Sequence, residues 1–198
     1  KENATDTVFK ALQPAIRFTK EECLDLPDMV YVKRTVEMTR QQKKYYKQLK
    51  DTMVMQAAGE QITAANAAVN MNKLLQISSG AVYTDDGDSL EFDIKHRYKV
   101  LREVIDESTK KVLVFVPFKH VIDILTGKLI NDGIPTEVIR GDVSASKRTD
   151  IFKRFQTNAA PQVLVIQPAA AAHGVTLTAA NTVVWWGPTS SLETYAQA

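Results

Sequence analysis

Only one cysteine, Cys23, occurs in the 198 residues. That excludes an internal disulfide and any metal site built from several cysteines. No run of about 18 apolar residues is present, which argues against a membrane-spanning helix. The first residues, Lys1-Glu2-Asn3-Ala4-Thr5-Asp6, carry no charged-then-apolar signal pattern, so secretion is unsupported. The three histidines, His96, His120 and His173, are too scattered for a local metal motif. Several chemical signatures are missing as well. There is no Gly-x-x-x-x-Gly-Lys-Ser/Thr loop to cradle a triphosphate. There is no Gly-x-Gly-x-x-Gly after a strand and no Gly-x-Ser-x-Gly elbow, which weakens dinucleotide-binding and α/β-hydrolase readings. Asp85, Asp86 and Asp88 crowd Gly87 but lack the glutamate a calcium loop needs, so a turn is expected there.

Charge is also missing from one end. Between Phe155 and Ala198 there is no Lys or Arg, and Glu193 is the only acid. Such a segment is expected to form buried strands and packed loops, or to meet another domain. At the other end, residues 1–60 hold 11 of the 25 basic residues, concentrated at Arg40, Lys43, Lys44, Lys47 and Lys50. This cluster is either a nucleic-acid footprint or a solvated helix face. The overall composition, 44% apolar and 24% charged, is that of a soluble globular chain with enough interior for a sizeable core.

The pattern of residues that remain predicts the elements. Val8 to Leu24 reads as helical or irregular, ending at Leu26-Pro27. Met29 to Met38, rich in β-branched residues, predicts a strand. Thr39-x-x-Gln42 is a capping box opening a helix that runs to Ala58 and stops at Gly59. A second helix over Ala67–Ile77 should turn Met71, Leu74 and Leu75 inward, and a hairpin should lie between Val82 and Phe92. From His96 the rhythm changes. Helices over Arg97–Glu107 and Lys119–Asn131 and one led by Ser144 or Ser146 alternate with the short apolar runs 112–116, 136–139, 163–166 and 182–186. Gly133 is placed as a helix C-terminal cap. Continuous apolar strands between amphipathic helices predict an α/β sandwich around a parallel sheet. Its ligand loops should lie at the carboxyl ends of the strands. Trp185 and Trp186 read as core.

A family resemblance then organises these pieces. Lys111-Val-Leu-Val-Phe-Val-Pro-Phe-Lys-His-Val-Ile-Asp-Ile-Leu125 resembles motif IV of the Swi/Snf-like ATPases of helicase superfamily two. Thr136 to Ser144, with Lys147-Arg148 and Phe152-Lys-Arg-Phe155, is similar to the next block, and Val163 to Val184 resembles motif V. Upstream, Leu12 to Lys20 and Leu26-Pro27 resemble the segment linking the two motor lobes. Thr39 to Tyr46 and Leu74 to Ser78 resemble the helical stretch after it. Glu193-Thr-Tyr-Ala-Gln-Ala198 looks like the approach to motif VI, stopping before that motif's arginines.

The resemblance implies a fold: a RecA-like parallel sheet sandwiched by helices and preceded by a mainly helical linker subdomain. The domains would be an interlobe linker with a small hairpin, 1–95, and a second RecA-like lobe, 96–198, truncated before motif VI. It implies ATP and Mg2+ as cofactors of the complete two-lobed protein, with duplex DNA and the first lobe as partners, and no membrane. It places ATP at Gly174 and Val175, and nucleic acid at Phe118, Lys119, His120, Gly141, Lys147, Arg148, Ala172 and Thr176. It leaves no catalytic residue or metal ligand in this chain, which alone should be inactive. A cytoplasmic bacterial or phage protein is expected, nuclear if eukaryotic. Motif V departs from the family pattern by Ala171-Ala172 in place of Gly-Gly and by Thr176 in place of Asn. For Lys119, His120, Lys147 and Arg148 a solvated helix start remains open, as do a plain turn for Gly174 and a turn cap for Thr176. Two alternatives stand beside the motor. One is another superfamily-two helicase, although Ala170-Ala-Ala-His-Gly174 does not match the Ala-Arg-Gly-like motif V of the DEAD-box kind. The other is a non-catalytic nucleic-acid-binding domain.

Overall fold

The computed structural model describes residues 4–13, 29–59, 64–84, 86–171, 177–189 and 191–197. The chain divides into two compact units, Lys1–Arg34 and Thr35–Ala198. In the first, α1 spans Ala4–Ala11. Most of the Val8–Leu24 segment and the Leu26-Pro27 break lie outside the described residues. The strand expected over Met29–Met38 does not form: residues 29–39 carry neither helix nor strand, and Met29, Val30, Tyr31 and Val32 are exposed. β-branched side chains favour a strand only when a neighbour supplies the ladder and a face to pack on, and no described strand pairs with this run.

The second unit begins with a helical pair, α2 (Arg40–Gly59) and α3 (Ala64–Ser79). The capping box is present. The Thr39 backbone N–H donates to Gln42 Oε1 at 3.0 Å, and the Gln42 N–H donates to Thr39 Oγ1 at 3.4 Å. Gln42 also donates through Nε2 to the carbonyls of Ile77 and Ser78 at 2.9 and 3.4 Å. One buried side chain therefore closes the start of α2 and the end of α3. Leu74 and Ile77 are buried and Leu75 is half-buried, but Met71 is 55% exposed, contrary to expectation. Only the C-terminal end of α3 gains a second neighbour beside α2, the hairpin that follows.

That hairpin, β1 (Ala81–Tyr83) with β2 (Ser89–Glu91), is antiparallel, and Gly87 turns it at φ +89°. Then come α4 (Lys95–Glu107), β3 (Lys111–Phe115), α5 (Lys119–Asn131), β4 (Thr136–Ile139), α6 (Ala145–Thr157), β5 (Val163–Ile166), the short α7 (Pro168–Ala171), β6 (Ala180–Trp185) and α8 (Leu192–Gln197). The four later strands form one parallel sheet in the order β4-β5-β3-β6.

Side chains alternate across this sheet with period two and build a core on each face. On one face Val112, Val114, Val116, Val163 and Val165 pack with Leu101 and Ile105 of α4 and Val121, Ile122, Leu125 and Leu129 of α5. On the other, Leu113, Phe115, Leu164 and Ile166 pack with Ile151 and Phe155 of α6. Each fully buried aliphatic side chain contributes about 1.5–3 kcal/mol, so the two layers hold the sheet from both sides. This is the α/β sandwich that the apolar runs predict.

The helix ends follow local chemistry. Gly133, at φ +75°, donates its N–H to Ile130 O while Ile134 donates to Leu129 O. That pair of bonds is a Schellman motif, and the buried Leu129 and Ile134 supply its apolar contact. At the end of α6, Lys111 Nζ donates to the carbonyls of Phe155 and Asn158, both at 2.6 Å. A cation there complements the helix dipole, although burial pulls this ammonium below its ordinary pKa.

The uncharged end meets its expectation in part. β5 is wholly buried, whereas β6 forms an edge of the sheet with Val183 half out in solvent, and Leu192 and Tyr195 of α8 are exposed.

Candidate nucleic-acid interface at the carboxyl edge of the sheet

Parallel strands all point the same way, so the loops after β3, β4, β5 and β6 share one edge. After β3, Pro117 and Phe118 lead into α5. Phe118 is the N-cap residue and makes no side-chain capping bond, so the first turn of α5 presents backbone N–H groups with no side-chain acceptor. Lys119, in that turn, is exposed. His120 is turned inward: its ring packs edge-on against Tyr83 with centroids 4.6 Å apart, and its Nδ1 is buried with no partner in the structure.

After β4, Arg140 is held by two carboxylates, Nε to Asp142 at 2.9 Å and Nη1 to Asp123 at 2.5 Å. Burial lowers the pKa of this guanidinium, and the two aspartates outweigh that and hold it up. The Gly141 N–H is donated to Gln167 Oε1 at 3.1 Å. Ser144 then caps α6, accepting from the Lys147 N–H at 3.4 Å, and leaves the Lys147 side chain exposed.

Arg148 is placed differently from Lys147. Its Nε donates to Val143 O at 2.8 Å, Nη1 to Ala170 O at 3.0 Å, and Nη2 to Gly141 O and Arg140 O at 3.2 and 3.4 Å. A guanidinium presents several donors in a rigid fork, and here the fork spans the loops after β4 and β5. Gln167 ties the same two loops: its N–H donates to Ile139 O at 2.8 Å and its Oε1 accepts from the Gly141 N–H. Arg148→Met should lower stability by about 1–3 kcal/mol, because half-buried carbonyls lose a charged donor. It should also speed amide exchange at Gly141. Arg148→Lys should rescue neither, since one ammonium cannot span these acceptors. Denaturant melts and hydrogen exchange check both.

After β6, Trp186 is 4% exposed and donates through Nε1 to Ser79 O at 2.8 Å. Its carbonyl accepts from Arg97 Nη1 at 2.8 Å, and the same guanidinium lies over the indole, 5.4 Å from the ring centroid. Burial lowers the pKa of Arg97. This knot fastens α3, α4 and the end of β6. Nothing in the local sequence pattern marks Gln167, Arg97 or Ser79, because each acts across long chain separations.

Phe118, Lys119, Gly141, Lys147 and Arg148 thus sit on or next to one edge, with His120 packed beneath. Ala172, Gly174, Val175 and Thr176, with His173, lie outside the described residues.

Residues 96–198, over half of the chain, match the family model of the helicase conserved C-terminal domain. The chain belongs to the helicase C-terminal domain family. Its relatives include the ATP-dependent helicase ULS1 of Saccharomyces cerevisiae, 31% identical over 148 residues, which are 71% of this chain and 9% of that protein. Another is an uncharacterized ATP-dependent helicase, MG018, of Mycoplasma genitalium, 27% identical over 188 residues, 90% of this chain and 18% of that protein. The chain therefore spans less than a fifth of either relative.

The fold of this helicase C-terminal domain is similar to that of the Sulfolobus solfataricus SWI2/SNF2 ATPase. Against its C-terminal domain the TM-score is 0.62 at 21% identity, covering 75% of this chain and 68% of that one. Against its core domain the TM-score is 0.66 at 21% identity, covering 99% and 43%. The expected RecA-like parallel sheet between helices, preceded by a helical region, is the observed fold. No described helix is long and apolar enough to cross a membrane.

Proposed function

We propose that this chain is the second RecA-like lobe, with its linker, of a Swi/Snf-like ATPase that moves along duplex DNA. The observation that carries this reading is the pair of helix starts at one sheet edge within a helicase C-terminal domain. α5 opens with no side-chain cap and carries Lys119, and α6 opens at Ser144 and carries Lys147. β3 and β4 flank β5, so the two helices start from strands about 10 Å apart. Backbone amides at a helix start, with a lysine in the first turn, suit a phosphate oxygen. Arg148 and Gln167 hold the loops between them in place. In this reading residues 1–95 are the interlobe linker and helical subdomain and 96–198 the lobe. The same reading assigns Ala172 and Thr176 to nucleic acid and Gly174 and Val175 to ATP.

Among the described residues no group of three His, Cys, Asp or Glu converges to hold a metal ion, and the sequence has no phosphate loop. We assign no chemical step to this chain. The relatives named as ATP-dependent helicases support ATP use by the complete protein.

The test is ATP hydrolysis by the complete polypeptide with duplex DNA, single-stranded DNA, RNA or no nucleic acid. Marked stimulation by duplex DNA is the expected result, with no turnover by the 198-residue chain alone. Stimulation by RNA only would favour another superfamily-two helicase. A folded protein silent under every condition would favour a non-catalytic binding domain.

A further inference from the structure

We infer that α2 carries a second phosphate-backbone contact surface, separate from the strand-end loops. The inference rests on the proposed reading only in supposing that the complete protein engages nucleic acid. The formal charge of the whole chain is +2, yet residues 40–50 hold Arg40, Lys43, Lys44, Lys47 and Lys50 and no acid. At 100° per residue these five side chains fall within an arc of about 120°. The buried and half-buried positions of the helix, Gln42, Tyr46, Leu49 and Met53, occupy a separate arc. All five bases are exposed.

Lys43 is paired with Glu37 at 2.7 Å. Arg40, Lys44, Lys47 and Lys50 have no ion-pair partner among the described residues. A helix face that serves only solubility mixes signs at i and i+4. Asp51, four residues after Lys47 and on the same face, is the one acid in α2, and α3, which packs beside it, has none. The stripe thus carries five cations against a single acid of the helical pair. It runs for about 15 Å, close to the rise of four nucleotides along one strand of a duplex. The exposed apolar residues Val54 and Met55 follow within about one turn of Lys50, beyond the last lysine of the row.

The test is equilibrium binding of a short fluorescent duplex to the complete polypeptide across a salt series. The triple variant Lys44→Gln/Lys47→Gln/Lys50→Gln should bind roughly 10- to 100-fold more weakly at physiological salt. Its log–log salt slope should be shallower by about 2.7. The triple Lys→Arg variant, which keeps the charge, should bind as the wild type does. Equal affinity and slope for the Gln variant would overturn the inference while leaving the proposed function intact. Equal loss in the Arg variant would overturn it too, since charge would not be the cause. Loss of phosphatidylserine vesicle binding with duplex binding unchanged would assign the surface to membrane and refute it. If the wild type binds no duplex at all, the proposed function fails and takes the inference with it.

Discussion

Trp186→Ala is expected to lower stability by about 3–5 kcal/mol, the cost of emptying a buried aromatic site. In a chain of this size that lowers the melting temperature by roughly 6–20 °C, and it removes a large share of the 5–15 kcal/mol that holds a typical domain together. The indole does three things at once. It fills one of the two cores, donates to Ser79 O, and provides the face on which Arg97 lies. Removing it leaves a cavity, an unpaired carbonyl at the end of α3 and a guanidinium stripped of its ring. Trp186→Phe separates these effects, because it keeps most of the volume and loses the N–H. Its expected cost is about 1–2 kcal/mol. Thermal melts of both variants check the ranking. An alanine variant as stable as the wild type would mean that the knot between α3, α4 and β6 does not support the fold.

Gly80→Ala is expected to cost about 2–6 kcal/mol for two separable reasons. Gly80 sits at φ +128°, which L side chains rarely adopt, and holding one there costs about 1–3 kcal/mol. A Cβ at this position would also overlap Ile94 Cγ2, part of a side chain buried in the core. Relieving that overlap costs a further ~1–3 kcal/mol. The close approach exists because the Gly80 carbonyl accepts the Phe92 N–H at 2.8 Å, drawing the end of α3 down onto the segment after the hairpin. A double-mutant cycle with Ile94→Ala separates the causes, because that change removes Cγ2 and leaves the backbone angle of Gly80 as it is. A cost of Gly80→Ala that shrinks in the Ile94→Ala background points to the overlap, and an unchanged cost assigns it to the backbone angle alone.

The sequence made the second unit legible wherever the deciding interaction is local. The Thr39–Gln42 box, the Gly133 stop, the Ser144 cap and the apolar runs of β3 and β5 each depend on residues within a few positions, and each stands in the structure as the pattern implies. The failures have the opposite character. Residues 29–38 have strand-forming side chains, but a strand is a property of a pair, and no partner is written into the local pattern. Met71 has the spacing of a core residue, yet burial needs a neighbour on that side of the helix.

The candidate site divides along the same line. Lys119 and Lys147 are readable because a helix start is a local event. Arg148 carries the same charge as its neighbour and looks equivalent in the sequence, but its guanidinium reaches carbonyls brought near by the parallel crossing of β4 and β5. Gln167 acts through that same adjacency. The contact of Trp186 with Ser79 joins residues 107 positions apart, so no window of sequence contains both partners.

The strand order also has a consequence for how the chain is made. β3 lies inside the sheet and is the earliest of its four strands to leave the ribosome. Val112 pairs with Val163 and Val114 with Val184, so its neighbours on both sides are synthesised much later. Parallel neighbours cannot close as a hairpin, and such long-range pairings form slowly. Until β5 and β6 arrive, both edges of this apolar strand and the face that later meets α6 stand uncovered. The stretch that contributes most to the finished interior is therefore the one most in need of protection during synthesis.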